Sequence, residues 1–132
     1  KICTIDVPVG WHSHKVRAKD GLMIVNHERL GNEGSEEFGG GLALYDTTRP
    51  SAPKQISKWM TGGRGVHRYD YDGRYAFISP TAEGYVGNIV KILDLIDPAI
   101  TYRRAAIILC AWATGSMSAI GIMVCSFWTF QT

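Results

Sequence analysis

The C-terminal part of the chain lacks acidic residues altogether. All twelve Asp and Glu residues of the 132-residue chain lie between Asp6 and Asp97, and none follows Pro98. Residues 105–130 contain no charged residue of either sign. Because the composition changes so abruptly near Pro98, we expect two parts, residues 1–99 and residues 100–132.

Cysteine and clustered positive charge are both scarce. The three cysteines Cys3, Cys110 and Cys125 are too few for a disulfide framework. The formal net charge is +2 without any basic cluster, so the electrostatic signature of nucleic-acid binding is missing. The chain begins at Lys1 with neither Met nor a signal-peptide pattern. We therefore expect the natural N-terminus to lie upstream, and the sequence leaves the cellular compartment open.

Turn residues divide the first part into short strands. Asp20-Gly21 and Asp72-Gly73 each separate two runs that contain β-branched and aromatic residues. Since Asp-Gly tolerates positive φ at both central turn positions, each pair predicts a tight hairpin. Asp46 and Asp94, each followed four residues later by proline, predict closing turns. Strands are predicted at residues 2–8, 11–18, 22–26, 42–45, 54–59, 66–71, 74–79 and 89–93, the first of them as the last strand of a preceding unit.

These features recur in the same order along the chain. Fifty-two residues separate Asp20 from Asp72, and forty-eight separate Asp46 from Asp94. A period near fifty residues made of four short strands is typical of a β-propeller blade, and a plain antiparallel sandwich is the alternative. A closed propeller needs roughly four to eight blades. We therefore expect an all-β chain in which residues 1–99 form about two four-stranded blades, a fragment of a larger propeller.

Four motifs link the chain to a known group. They are G-W-H-S-H-K at residues 10–15, G-V-H-R at 65–68, E-G-Y-V-G-N-I-V at 83–90 and I-L-D-L-I-D-P at 92–98. On these motifs the chain resembles the LVIVD-repeat β-propeller proteins over residues 2–99. The resemblance implies a propeller. It implies no particular chemistry, because that family is largely without assigned activity.

The uncharged residues 105–130 follow Arg103 and Arg104 and admit two interpretations. Their length and basic flank are typical of a transmembrane helix, and only in that case would a membrane be a partner. The implied codons, read one base out of phase, permit R-C-H-H-P-L-R-M-G-N-R-L-Y-V-S-Y-W-H-N-G-M-F-V-L-D-I-S-D, which has the strand-and-turn pattern of the preceding units. We therefore expect residues after about Ile100 to be a frameshifted translation, with a membrane helix over residues 105–130 as the alternative.

Histidines supply the candidate chemistry. His12 and His14 lie two apart on a predicted strand and so point to the same side. His14 and His67 occupy matching places in the two units, where the innermost strands of a propeller converge on its channel. We predict His12, His14 and His67 as ligands of a metal ion, with Cu, Fe or Zn most suitable. The alternative is that each imidazole hydrogen-bonds a neighbouring turn.

The remaining candidate is the adjacent pair His27-Glu28, interpreted as an exposed strand end, with an acid–base pair at a loop mouth as the alternative. No catalytic residue is assigned. The expected function is a ligand-binding or scaffold propeller with an unidentified small-molecule or protein ligand. The alternative function is a metal-dependent oxidoreductase with a histidine-lined central channel.

Overall fold

The computed structural model of the chain describes residues 1–34, 37–80, 88–99 and 105–108, the last four by their backbone alone. The described residues are all-β and form two antiparallel sheets, neither of which closes on itself. The strands are β1 (Trp11–His12), β2 (Val16–Lys19), β3 (Leu22–Arg29), β4 (Gly41–Asp46), β5 (Lys54–Met60), β6 (Val66–Tyr71), β7 (Tyr75–Pro80), β8 (Val90–Asp94) and β9 (Ala105–Ile108).

Both sheets are meanders whose neighbouring strands follow one another along the chain. In the first sheet, β1 and β2 lie end to end along one edge of β3, and β4 and β5 follow on its other side. The second sheet has the order β6-β7-β8-β9. Each sheet is therefore four strands wide, as the predicted strand pattern requires.

Three segments differ from the predicted strands. Residues 2–8, expected as the last strand of a preceding unit, form no strand here, since they have no ladder partner among the described residues. The strand predicted over residues 11–18 is interrupted at residues 13–15. β9 (Ala105–Ile108) pairs with β8, so the first residues of the alternative membrane helix are extended rather than helical. The rest of residues 100–132 lies outside the described residues.

Within the described ranges, no helix has both the length and the apolar character to cross a membrane. Whether residues 100–132 are a shifted reading frame stays a prediction.

The two hairpins use their Asp-Gly pairs differently. In the first, Asp20-Gly21 occupies both central turn positions, with φ of 52° and 80°, as predicted. In the second, Gly73-Arg74 is the central pair and Gly73 has a φ of 118°. Asp72 instead precedes the turn, and its Oδ1 accepts the backbone N–H groups of Arg74 and Tyr75 at 2.8 and 2.7 Å. The turn is shifted by one position because the Asp72 side chain caps it from the preceding position, and Asp72 therefore does not adopt the positive φ of a central turn residue.

The closing aspartates cap the turns that follow them. Asp46 Oδ1 accepts the backbone N–H of Thr48 at 2.8 Å, and Asp94 Oδ1 accepts that of Ile96 at 3.1 Å. This local bond holds the chain in a turn where the strand must end.

One face of the first sheet packs against one face of the second, and this contact is the main core. Its buried members are Ile24, Leu42, Leu44, Trp59, Val66, Tyr69, Ala76, Ile78, Leu93 and Leu95. Burial of this apolar surface is the main force that holds the sheets together. The buried Tyr69 hydroxyl also donates to the Ile24 carbonyl oxygen at 2.7 Å. The packing brings β3 and β6 into contact, and with them the segments that carry the histidines.

Candidate metal centre

Asn26 shapes the break between β1 and β2. Its side chain is completely buried, and its Oδ1 accepts the backbone N–H groups of His14 and Lys15 at 3.2 and 2.8 Å. Its Nδ2 donates to the Val66 carbonyl oxygen at 2.8 Å. One buried amide therefore fixes the segment that carries His14 and ties it to the first residue of β6.

The first edge of each sheet, formed by β1 and β2 in one and by β6 in the other, has one more residue than the strand it pairs with at the point where the histidines lie. The chain advances four residues from His12 to Val16, while their partners on β3 advance three, from Glu28 to Val25. A matching register shift lies between residues 66 and 69 of β6, the segment that contains His67. Such β-bulges re-aim side chains and are frequent beside functional sites.

Gly65 allows the two sheets to approach each other at this end. It has a φ of 103° and bridges to Glu28 across the sheets. A Cβ atom on Gly65 would lie 2.1 Å from the His27 carbonyl oxygen, which is a severe clash. Only glycine fits both the backbone conformation and the contact, so Gly65 brings the end of β3 next to the start of β6.

The histidines predicted as ligands lie together. The rings of His12 and His14 stack with centroids 5.1 Å apart, and those of His14 and His67 lie 4.7 Å apart. Glu28 reaches into this group: its Oε2 is 3.3 Å from His12 Nε2 and 2.7 Å from His67 Nδ1. We call these four residues the histidine cluster.

Three of the four could hold one ion. His12, His14 and Glu28 each offer a ligand atom, and these atoms all lie within 4.8 Å of one another. His67 contributes no atom to that group, although it was predicted as a ligand. Glu28 was missed as a ligand. The signal that identifies it is its pairing with His12 across β1 and β3, which places both side chains on one face of the sheet.

His27 lies on the other face of β3 and is buried, so the interpretation of His27-Glu28 as an exposed strand end is wrong. Its ring packs against Phe38 with centroids 5.0 Å apart, and only 2% of the residue is exposed. Burial, together with the positive charge of Lys58, lowers the pKa of His27 to about 4. Because successive strand residues face opposite ways, His27 and Glu28 do not form an acid–base pair either.

A cavity of about 480 Å³ lies at the same end of the first sheet. Its lining residues are Trp11, Arg29, Gly39, Gly40, Met60, Gly62, Gly63 and Arg64. Two of them, Trp11 and Arg29, are the sequence neighbours of the cluster residues His12 and Glu28. The glycines belong to loops that lead into strands, so they do not form the strand-to-helix loop that cradles phosphate.

Comparisons of the chain with protein-family models, with curated proteins and with solved structures find no match.

Proposed function

We propose that this chain is a metal-binding β-propeller module of the LVIVD-repeat kind, with one transition-metal ion held where two neighbouring blades meet. The observation that carries the proposal is the convergence of His12, His14 and Glu28 on one point, with ligand atoms within 4.8 Å of one another. This ion would then be the ligand that the sequence alone leaves unidentified.

Three features support the interpretation of the sheets as successive blades. The sheets share one strand order, and each has a bulged first strand. Leu22 and Tyr75, which pair with the closing aspartates, are fifty-three residues apart, and so are His14 and His67. Side chains at equivalent positions of the two sheets meet, as in Arg17–Asp70 and His14–His67, and this is the arrangement expected near a propeller channel.

The separation of His12 and Glu28 suits two ligands of one ion. Two ligands about 2.1 Å from a metal, at octahedral or tetrahedral angles, lie about 3.0 to 3.4 Å apart. His12 Nε2 and Glu28 Oε2 are 3.3 Å apart and already have this separation.

The donor types narrow the choice of ion. Two imidazoles with one carboxylate suit Zn²⁺, Fe²⁺ and Cu²⁺, whereas Mg²⁺ and Ca²⁺ prefer oxygen ligands throughout. Neutral imidazoles are needed for binding, so affinity should fall as the solution is made acidic.

The test is metal uptake by the chain after treatment with a chelator. We expect calorimetry and elemental analysis to give one Zn²⁺, Fe²⁺ or Cu²⁺ per chain, and His12→Ala or His14→Ala to weaken binding by about 100-fold or more, since each removes one of three ligands. His27→Phe is the matched control, because it removes the histidine on the opposite face of β3. Equal affinity in His12→Ala and His27→Phe would refute the site.

A further inference from the structure

We propose that the ion has three protein ligands, His12, His14 and Glu28, that His67 positions the Glu28 carboxylate without binding the ion, and that the remaining coordination positions take a small exogenous molecule. This inference rests on the proposed function and deepens it. It concerns the kind of metal site and the class of molecule that the site accepts.

The separation of His67 from Glu28 argues that His67 is not a ligand. His67 Nδ1 lies 2.7 Å from Glu28 Oε2, which is the length of a charge-assisted hydrogen bond. It is shorter than the roughly 3.0 to 3.4 Å that separates two ligands of one ion. His67 Nδ1 therefore serves to donate a hydrogen to the carboxylate, as the outer partners of metal-binding carboxylates do.

The backbone supports this division of roles. His12, His14 and Glu28 belong to the first sheet and its β1–β2 break, whereas His67 comes from the bulge of β6 in the second sheet. The Glu28–Gly65 bridge sets the distance between the two sheets at this point. His67 thus approaches the carboxylate from the neighbouring sheet and holds it toward His12.

Three protein ligands leave an ion incomplete. Structural zinc sites have four protein ligands, and sites that keep an open position usually have three. The set of two imidazoles and one carboxylate is the one that leaves open positions on non-haem iron.

The cluster is also accessible. The side chains of His12 and His67 are 30% and 54% exposed, and His14 is exposed as well. The open positions therefore face solvent and can accept a molecule of the size of water, azide or dioxygen.

The experiment uses the full chain loaded with Co²⁺, whose visible absorption reports its coordination, and sodium azide as the probe. We expect saturable changes in the visible spectrum on addition of azide. His67→Ala should still take up one Co²⁺ per chain, about 10- to 100-fold more weakly, because it loses an outer partner and no ligand. It should keep the azide response.

Two further variants sharpen the test. His67→Gln, whose amide can donate to the same carboxylate, should recover most of the lost affinity, while Arg68→Gln is the matched exposed control at the neighbouring position. Loss of Co²⁺ in His67→Ala as complete as in His12→Ala would make His67 a ligand and overturn the inference. Uptake of Co²⁺ without any azide response would show a closed site and also overturn it, with the proposed function intact. Failure of the unaltered chain to bind Co²⁺ would overturn both proposals.

Discussion

Replacing Asn26 with aspartate tests how the histidine-bearing segment is held. Asp is nearly isosteric and keeps the oxygen that accepts the backbone N–H groups of His14 and Lys15. It loses the Nδ2 hydrogen that is donated to the Val66 carbonyl oxygen at 2.8 Å. When ionised, it also places a negative charge at a position that is completely buried.

The expected loss of folding free energy has two sources, the missing hydrogen bond and the buried charge. A buried carbonyl left without its donor costs about 1–3 kcal/mol. Burial disfavours the charged carboxylate, so the pKa of the introduced acid should be higher in the folded chain than in the unfolded one. Each pKa unit of this difference lowers the stability of the ionised variant by about 1.4 kcal/mol. Below the unfolded pKa the acid is protonated, and its O–H can donate to the Val66 oxygen in place of the amide. The stability so gained is lost as the pH rises through the folded-state pKa.

The assay is urea unfolding of both chains, in chelator, at about pH 4 and about pH 8, with the variant compared with the unaltered chain at each pH so that shared titrations cancel. We expect Asn26→Asp to cost about 1 kcal/mol at the acidic pH and about 3 kcal/mol or more at the alkaline one. Asn32→Asp, in an exposed turn, is the control and should be nearly neutral at both. A cost that is independent of pH, or that falls as the pH rises, would refute the assigned role of Asn26.

Two other predictions concern stability. Tyr69→Phe should lower the free energy of unfolding by about 1–2 kcal/mol, because it removes the buried hydroxyl that donates to the Ile24 carbonyl oxygen; Tyr75→Phe is the control, and equal effects of the two would contradict the inter-sheet bond. The folded chain resists protonation of His27, whose pKa is lowered from 6.5 to about 4, so stability should fall as the pH drops through that interval. Urea unfolding should show that His27→Phe loses about 3 kcal/mol less unfolding free energy between pH 7 and pH 4 than the unaltered chain does. An unchanged pH profile would contradict the burial of a neutral imidazole.

Local sequence patterns predicted most of the strands, because strand and turn formation depends largely on residues adjacent in the sequence. Alternating apolar residues and turn-forming Asp and Gly give the predicted strands that correspond to β3 to β8. The failures arise where a partner decides the outcome. Residues 2–8 have a strand-like composition but no ladder partner in the part of the chain that the structure describes, and Asp72 caps the second hairpin turn from outside it.

The candidate metal site was also predictable only in part. The histidines were recognisable from their spacing and from the match of His14 with His67. Glu28 was missed because nothing adjacent to it in the sequence indicates that it faces His12. That relation exists only once β1 pairs with β3, and the role of His67 emerges only once the second sheet packs against the first.

The amino-acid sequence by itself determined an all-β chain, most of its turn positions and the candidate histidine ligands, since backbone conformation and side-chain alternation are local properties. The tertiary structure decided which of these side chains meet. The bulges of both first strands, the buried Asn26 amide and the close approach at Gly65 bring residues from two sheets to one point. Contacts between residues about forty positions apart depend on how the apolar faces of the sheets pack, and no local pattern encodes that distance.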